Sequence, residues 1–521
     1  MASANCNWEP GIRSIVLCLG FVATDIARGL TDIPASAMTQ PEDSSRVVGL
    51  FFNLPDTANV AEFAVNALPE EGFSGGGAGM GPHVDPVPSD EAMPARTGIV
   101  VIGGGIIGTS AALALTQRGV AVTICEKGDV AGEQSSRNLG WVRKNGRDER
   151  EIPLIIESLR LWERMNETVG ADTGFRACGV LIVATTDAER QGQAEWLEKA
   201  RPYQIGSRIV EGDELAKMLP GATKRYFSAL YNATDGRAEP QKAAPAIALA
   251  ARRGGASVLT NCAVRGLDVS GGRVAGVVTE KGRIACEGVI LAGGAWSRLF
   301  CGALGLRLPQ LKVLATVART APISGLPETN TWLGDFAYRR RLDGGYNITD
   351  GTANIVPVVP DMFRFMGAFL PAGYAAKRSI RLRLDERFMA EARTPGRWAL
   401  DAPSPFEAVR VLDPEPDTLS NLRALARMKA LYPAASGMRV VQQWAGLIDV
   451  MPDVVPVIST VESLPGLIIA TGFSGHGFGI GPAAGRLAAD LATGARPIVD
   501  PTPFRFSRFS DGSKIVVDVG L

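Results

Sequence analysis

The glycine run Gly103-Gly104-Gly105-Ile106-Ile107-Gly108 constrains this chain more than any other feature, because it has the spacing G-x-G-x-x-G in a setting that suits it. Before it, Gly98 to Ile102 reads as an apolar strand. After it, Ile106 to Arg118 reads as a helix of small and apolar residues, and Val120 to Cys125 as a second strand ending at Glu126. That is a βαβ opening, and parallel pairing requires helices on both faces of the sheet. In such a turn Gly103 permits the sharp bend, Gly105 lets the backbone approach a pyrophosphate, and Gly108 lets the helix sit close to the strand. The helix N-terminus then faces the phosphate charge. Glu126, about 20 residues on, can accept both ribose hydroxyls, which disfavours a 2′-phosphate. These features predict a site for NAD or FAD and do not choose between them.

Composition narrows the function classes. The chain has 521 residues, 46% hydrophobic and 21% charged, which suits a soluble globular protein of two or more lobes. Lys plus Arg and Asp plus Glu both number 54, so no basic excess points to nucleic acid. The seven cysteines are scattered without a C-x-x-C pair and read as reduced thiols of a cytoplasmic chain. Only two histidines are present, His83 and His476, which removes most metal sites and Ser-His-Asp triads, and no metal is expected. Thr97 to Gln117 is uncharged, but three successive glycines break it as a membrane helix, and Ile15 to Ala23 is too short to span a bilayer. No membrane span is expected.

Residues 1 to 93 have linker composition, with Gly75-Gly76-Gly77 and closely spaced prolines, and are expected to form a disordered, dispensable extension. Met80 or Met93 would be a more natural start for the domain. Further along, Ile152, Ile155, Ile156, Leu159 and Trp162 recur at helical spacing. Asp187 to Ala200 and Pro240 to Arg253 read as helices, and Val264 to Val278 as a hairpin turning at Gly271-Gly272. Phe336 to Ile348 reads as a second hairpin, Leu467 to Thr471 as a last parallel-type strand and Pro482 to Thr493 as a last helix.

Four further motifs separate FAD from NAD, by resemblance. Ser135-Ser136-Arg137-Asn138-Leu139-Gly140, Leu291-Ala292-Gly293-Gly294-Ala295-Trp296-Ser297, Met451-Pro452-Asp453 with Pro456-Val457-Ile458, and Thr471-Gly472-Phe473-Ser474-Gly475-His476-Gly477-Phe478 follow one another in this order. Together they resemble the D-amino-acid oxidase and glycine/sarcosine oxidase superfamily, over roughly residues 97 to 500. The resemblance implies an α/β protein with a Rossmann-type FAD-binding domain and an inserted α+β substrate domain carrying an antiparallel sheet. The FAD domain would take 97–178, 240–312 and 440–500, the substrate domain 179–239 and 313–439, and 501–521 would be a C-terminal tail. It adds Lys127, Ser135, Ser136, Asn138, Leu139, Gly140, Val264, Ala292, Gly293, Trp296, Gly472, Ser474, Gly475, His476 and Gly477 to the cofactor residues Gly103, Gly105, Ile106, Ile107, Gly108 and Glu126. It also implies oxidation of the C–N bond of an amino acid, an N-methylated amino acid or a small amine. Hydride would pass to flavin N5, the imine would hydrolyse, and oxygen or a quinone or protein acceptor would reoxidise the flavin. Oxidation of a C–OH bond and a non-catalytic flavin-carrying assembly factor are the alternatives.

The pattern departs from the family in three places. Where members carry an arginine for a substrate carboxylate, this chain has Ile448, followed by Asp449, which would favour a cation. Arg340, sent to the opposite strand face from Arg339 and Arg341, is the candidate replacement. Gly446 stands where sarcosine oxidases carry the flavin-linking cysteine, so the FAD is expected to be non-covalent. Asn347 stands where they carry the lysine for oxygen activation, which keeps a dehydrogenase in view. His476, Arg340 and Asp449 are thus the candidate catalytic residues.

Overall fold

The computed structural model describes residues 81–352, 354–377 and 379–517. Residues 1–80 of the expected extension lie outside them, including Ile15 to Ala23, Cys6 and Cys18. The elements that carry the site are, in chain order, β1 (Ile99–Ile102), α1 (Ile106–Thr116), β2 (Val122–Cys125), α2 (Ile152–Glu163), β3 (Val180–Ala184), α3 (Pro240–Arg253), β4 (Ser257–Leu259), β5 (Gly288–Leu291), β6 (Leu311–Thr320), β7 (Phe336–Arg340), β8 (Tyr346–Asp350), α4 (Met366–Ala375), β9 (Val440–Val450), β10 (Val457–Thr460), β11 (Leu467–Thr471) and α5 (Gly477–Thr493).

One sheet has the order β10-β11-β5-β1-β2-β4, parallel except for β10 at its edge. Its inner strands are apolar throughout because both faces are covered. Helix α1 is buried from Ile106 to Leu115, between α3 and α5. Close approach to α5 needs glycine there: a methyl on Gly485 would lie 2.6 Å from Ala111 N, and one on Gly481 2.7 Å from Ile106 Cγ1. A second, mainly antiparallel sheet holds β3, β6, β7 and β8, so the fold is α/β with an antiparallel substrate-side sheet.

Three expectations change. Strand β9, expected in the FAD domain, pairs antiparallel with β6 from Leu311↔Val450 to Thr320↔Val440 and so belongs to the second sheet. Residues 81–93, expected to be extension, pack on the domain: Asp90 N donates to Val258 O at 2.8 Å, Val258 N donates to Asp90 Oδ2 at 2.7 Å, and Val84 and Val87 lie against the core. Helix α5 begins at Gly477 instead of Pro482, because Pro482 is accommodated inside it and the glycine-rich first turn fits against neighbouring backbone. Ser158 Oγ and Trp162 Nε1 of α2 both donate to Gly479 O, at 2.7 and 2.9 Å, and pin that first turn.

Candidate active site

A cavity of about 420 Å³ is lined by residues of both sheets. At its nucleotide end, β1 delivers the glycine turn and α1 opens with no side chain capping Gly105. Apart from Ile106 N, the first N–H donors and the positive dipole end of α1 are therefore available to an anion. Glu126 Oε2 accepts from Gly104 N at 2.7 Å and Oε1 from Gly128 N at 2.8 Å. Burial pushes this carboxyl up, while Lys127 and the two amides pull it back. Ser135 Oγ accepts from Ile106 N at 2.8 Å, and a methyl on Gly105 would meet nothing but that oxygen, at 2.9 Å. The open face at Gly105, the uncapped helix and the inward carboxylate fit a dinucleotide cofactor.

All the cofactor residues expected from the sequence line this cavity except Gly108, Ser136, Gly472 and Ser474. These four lie outside its lining. Gly108 lies under the Gly103 carbonyl, and Ser136 Oγ donates to Glu133 O at 3.1 Å. Gly472 N donates to Asp449 Oδ2 at 2.7 Å, and Ser474 Oγ accepts from Met451 N at 3.2 Å. The Lys127 ammonium is spent on Glu133 Oε1, Val409 O and Arg410 O, 4.5 Å above the Trp296 ring.

Two of the three catalytic candidates are reassigned. Asp449 borders the cavity, but Gln134, Gln310, Thr471 and Gly472 all donate to its carboxylate, so it holds the glycine loop instead of inviting a cation. Burial pushes its pKa up to about 6, against the Gly472 amide and the Thr471 hydroxyl. Arg340 is outside the cavity and pairs with Glu328 on the protein surface. Its neighbour Arg339 is fully buried against Glu239 at 2.9 Å. Asn347 is also outside, accepting from Arg341 Nη1 at 3.1 Å. The third candidate, His476, lines the cavity, and Gly446 does too.

The other end of the cavity holds charges that the sequence reading missed. Arg143 and Arg147 line it beside His476, and Glu151 lies fully buried behind. His476 Nδ1 is 2.8 Å from Glu151 Oε2, while Glu151 Oε1 and Arg147 Nη1 are buried without a partner. Burial and then the charge of Arg147 lower the Arg143 pKa to about 9, so it is still cationic at neutral pH. Burial also opposes the Glu151 carboxylate, but His476, Arg147 and Arg143 outweigh it and hold the group below its ordinary value. Burial and Arg147 push the His476 imidazole down, against Glu151. Nearby, Lys144 Nζ donates to Thr234 Oγ1 and feels the charge of the buried Asp235, which accepts the backbone amides of Lys144 and Asn145 at 2.9 and 3.2 Å. The one signal in the sequence was two arginines four residues apart just after the Ser- and Asn-rich loop, in a charged stretch that reads as solvated.

A Rossmann-type sheet, an uncapped glycine turn and a charged chamber sharing one cavity define a nucleotide-dependent oxidoreductase. A model of the DAO family, FAD dependent oxidoreductase, matches residues 98–491, and the chain belongs to that family. It is an enzyme, and its cofactor is FAD. It is similar to glycine oxidase of Pseudomonas putida, with 27% identity over 78% of this chain and 97% of the relative. It is 25% identical to 4-methylaminobutanoate oxidase (formaldehyde-forming) of Paenarthrobacter nicotinovorans over 81% of this chain, and spans 47% of that protein. The solved L-amino acid deaminase of Proteus myxofaciens, in complex with anthranilate, is 33% identical over 84% of this chain and 98% of its own, with a TM-score of 0.80. Among the described residues no helix is long and apolar enough to cross a membrane, and no cluster could hold a metal ion.

Proposed function

We propose that this enzyme oxidises the C–N bond of an α-amino acid or N-alkylated amino acid whose carboxylate faces Arg143 and Arg147. The observation that carries this reading is Arg147 Nη1, buried in the wall chamber with no acceptor. A buried guanidinium N–H without a partner costs roughly 1–3 kcal/mol, which a substrate carboxylate would recover. Charge supports the same reading. Lys144 offsets Asp235 and Glu151 offsets one arginine, which leaves one positive charge for one carboxylate. The relatives named above act on amino acids or methylamino acids, which favours that substrate class.

FAD, when bound, supplies the two-electron chemistry that removes hydride from the carbon bearing the nitrogen. The chain's own residues prepare that carbon. The ionised Glu151 fixes the proton of neutral His476 on Nδ1, which leaves the Nε2 lone pair free. Nε2 accepts a proton from the substrate ammonium, so that the nitrogen lone pair can assist loss of hydride. The imine formed hydrolyses to a carbonyl compound. Dye-coupled turnover of matched amino acid, amine and 2-hydroxy acid trios tests this reading. The amino acid should turn over faster than the amine by about 10- to 100-fold, the worth of the carboxylate contact, and faster than the hydroxy acid, which keeps the carboxylate but lacks the nitrogen. Faster turnover of the hydroxy acid would replace the reading with C–OH oxidation.

A further inference from the structure

Arg143 precedes, and Arg147 ends, a tight turn whose residues 144–147 are all buried. Arg147 N donates to Lys144 O at 3.3 Å, and Gly146, at φ +65, supplies the left-handed step that reverses the chain. Arg147 Nε donates to Arg143 O at 3.2 Å and Arg143 Nη1 to Asn145 O, so the turn's own carbonyls steer both guanidinium groups. The turn leaves two successive buried amides, Lys144 N and Asn145 N, to be met from elsewhere, and consecutive N–H groups of this kind form a nest for an anion. The Asp235 carboxylate fills it, Oδ1 accepting from Lys144 N at 2.9 Å and Oδ2 from Asn145 N at 3.2 Å. Asp235 is fully buried, and its own carbonyl accepts from Cys178 N and Gly179 N at 3.2 and 2.8 Å, just before β3. One residue thus ties the arginine turn to the substrate-side sheet.

We propose that Asp235 is a positioning residue for the substrate: its carboxylate holds the Lys144–Arg147 turn in the place from which Arg143 and Arg147 meet the substrate carboxylate. This rests on the reading that a carboxylate binds at those arginines, and adds the residue that sets where they stand. Burial pushes the Asp235 carboxyl up to about 6, against the two amides, Lys144 and Arg143. Burying a carboxylate is costly, and the neutral amide of the same shape has one acceptor oxygen where the nest needs two. A role through charge alone has the opposite sign, because an anion beside the arginines weakens a second anion there. The charge gained by removing it is also partly returned: burial pushes Lys144 down with Asp235 opposing, so Lys144 gives up its proton more readily once that anion is gone. Displacing a binding group by about 1 Å costs up to about 100-fold, so the shifted turn outweighs the charge.

The test is titration of the full FAD-loaded chain with hexanoate and with benzoate, acids that carry no amine, read from the change in flavin absorbance. Asp235→Asn should raise Kd for the acids about tenfold with FAD still bound. For an amino acid substrate it should raise KM by a similar factor and lower kcat far less. In the Arg147→Met background the effect of Asp235→Asn should shrink to less than about threefold, since it acts through the arginines, whereas a general loosening of the fold would add in full. Asp235→Glu keeps the charge but sets it one methylene further out. It too should raise Kd, and it serves as the test if Asp235→Asn does not hold FAD. An unchanged or lower Kd in Asp235→Asn overturns the proposal, as does full additivity with Arg147→Met or loss of FAD in both Asp235 variants. If the wild type binds neither acid, the reading of the arginines as a carboxylate site fails first. Binding by the wild type that Asp235→Asn leaves unaltered sinks the positioning role alone.

Discussion

His476 Nδ1 lies 2.8 Å from Glu151 Oε2, across the meeting of two helix N-termini: His476 occupies the residue position just before α5, and Glu151 the one just before α2. The two helices are tied a turn further in, where Ser158 and Trp162 donate to Gly479 O. The pair is therefore set by packing and not by a flexible loop.

Glu151→Gln should lower kcat by about 100-fold while FAD stays bound, because an amide can donate to Nδ1 and so move the ring proton to Nε2. The pH profile carries the sign. Burial and Arg147 hold the His476 pKa below its ordinary value, so the ring is neutral at pH 7 and accepts a proton there. In the wild type kcat/KM should fall only as pH drops below about 6.5, the ordinary imidazole value. Steady-state rates across pH check both points, and a wild-type profile that falls above pH 7 on acidification would remove His476 from the role.

Arg147→Met should raise KM for a carboxylate substrate about 10- to 100-fold, the loss of a charge-assisted hydrogen bond, with less change for the matching amine. Arg340→Met is the comparison. Its ion pair with Glu328 is partly exposed and outside the cavity, so KM should not move and stability should change by less than about 1 kcal/mol. Equal effects of the two substitutions would return Arg340 to the site.

The parallel sheet was legible in the sequence because its signals are local: β1, the glycine turn, α1 and Glu126 sit within thirty residues of chain. Helices Asp187–Ala200 and α3 match their expected bounds for the same reason, each having a capping residue or proline at its start. Strand β9 was misplaced because its long pairing with β6 joins residues more than a hundred positions apart, and no local pattern reports that. Arg340 was chosen by strand alternation, which gives the face but not what that face meets. Arg143, Arg147 and Glu151 were missed because charged loops usually face water, and only the tertiary fold turns this one inward.

Gly105→Val should lose FAD. Its first added carbon meets Ser135 Oγ at 2.9 Å, and displacing that hydroxyl disturbs the acceptor of Ile106 N at the mouth of the cofactor site. Gly272→Val, at φ +76 in a hairpin turn with nothing within 4 Å, should cost stability and keep FAD. Absorbance of the purified variants decides this, and full flavin occupancy in folded Gly105→Val would remove the turn from cofactor binding.

A chain beginning at Gly81 should retain FAD and Tm, whereas one beginning at Ala95 should melt lower, on the order of 5 °C, having lost the Asp90 contacts to Val258 and Arg252 and the packing of Val84 and Val87. Calorimetry of the two distinguishes them, and equal midpoints would show that 81–93 adds nothing to the domain.

Anaerobic mixing with substrate tests the central claim most directly, since it reads electron transfer to FAD without depending on the acceptor. An α-amino acid or N-alkylated amino acid should bleach the flavin absorbance, and the same compound without its carboxylate should do so far more slowly. Bleaching by 2-hydroxy acids alone, or by no amine and no amino acid, would contradict the account.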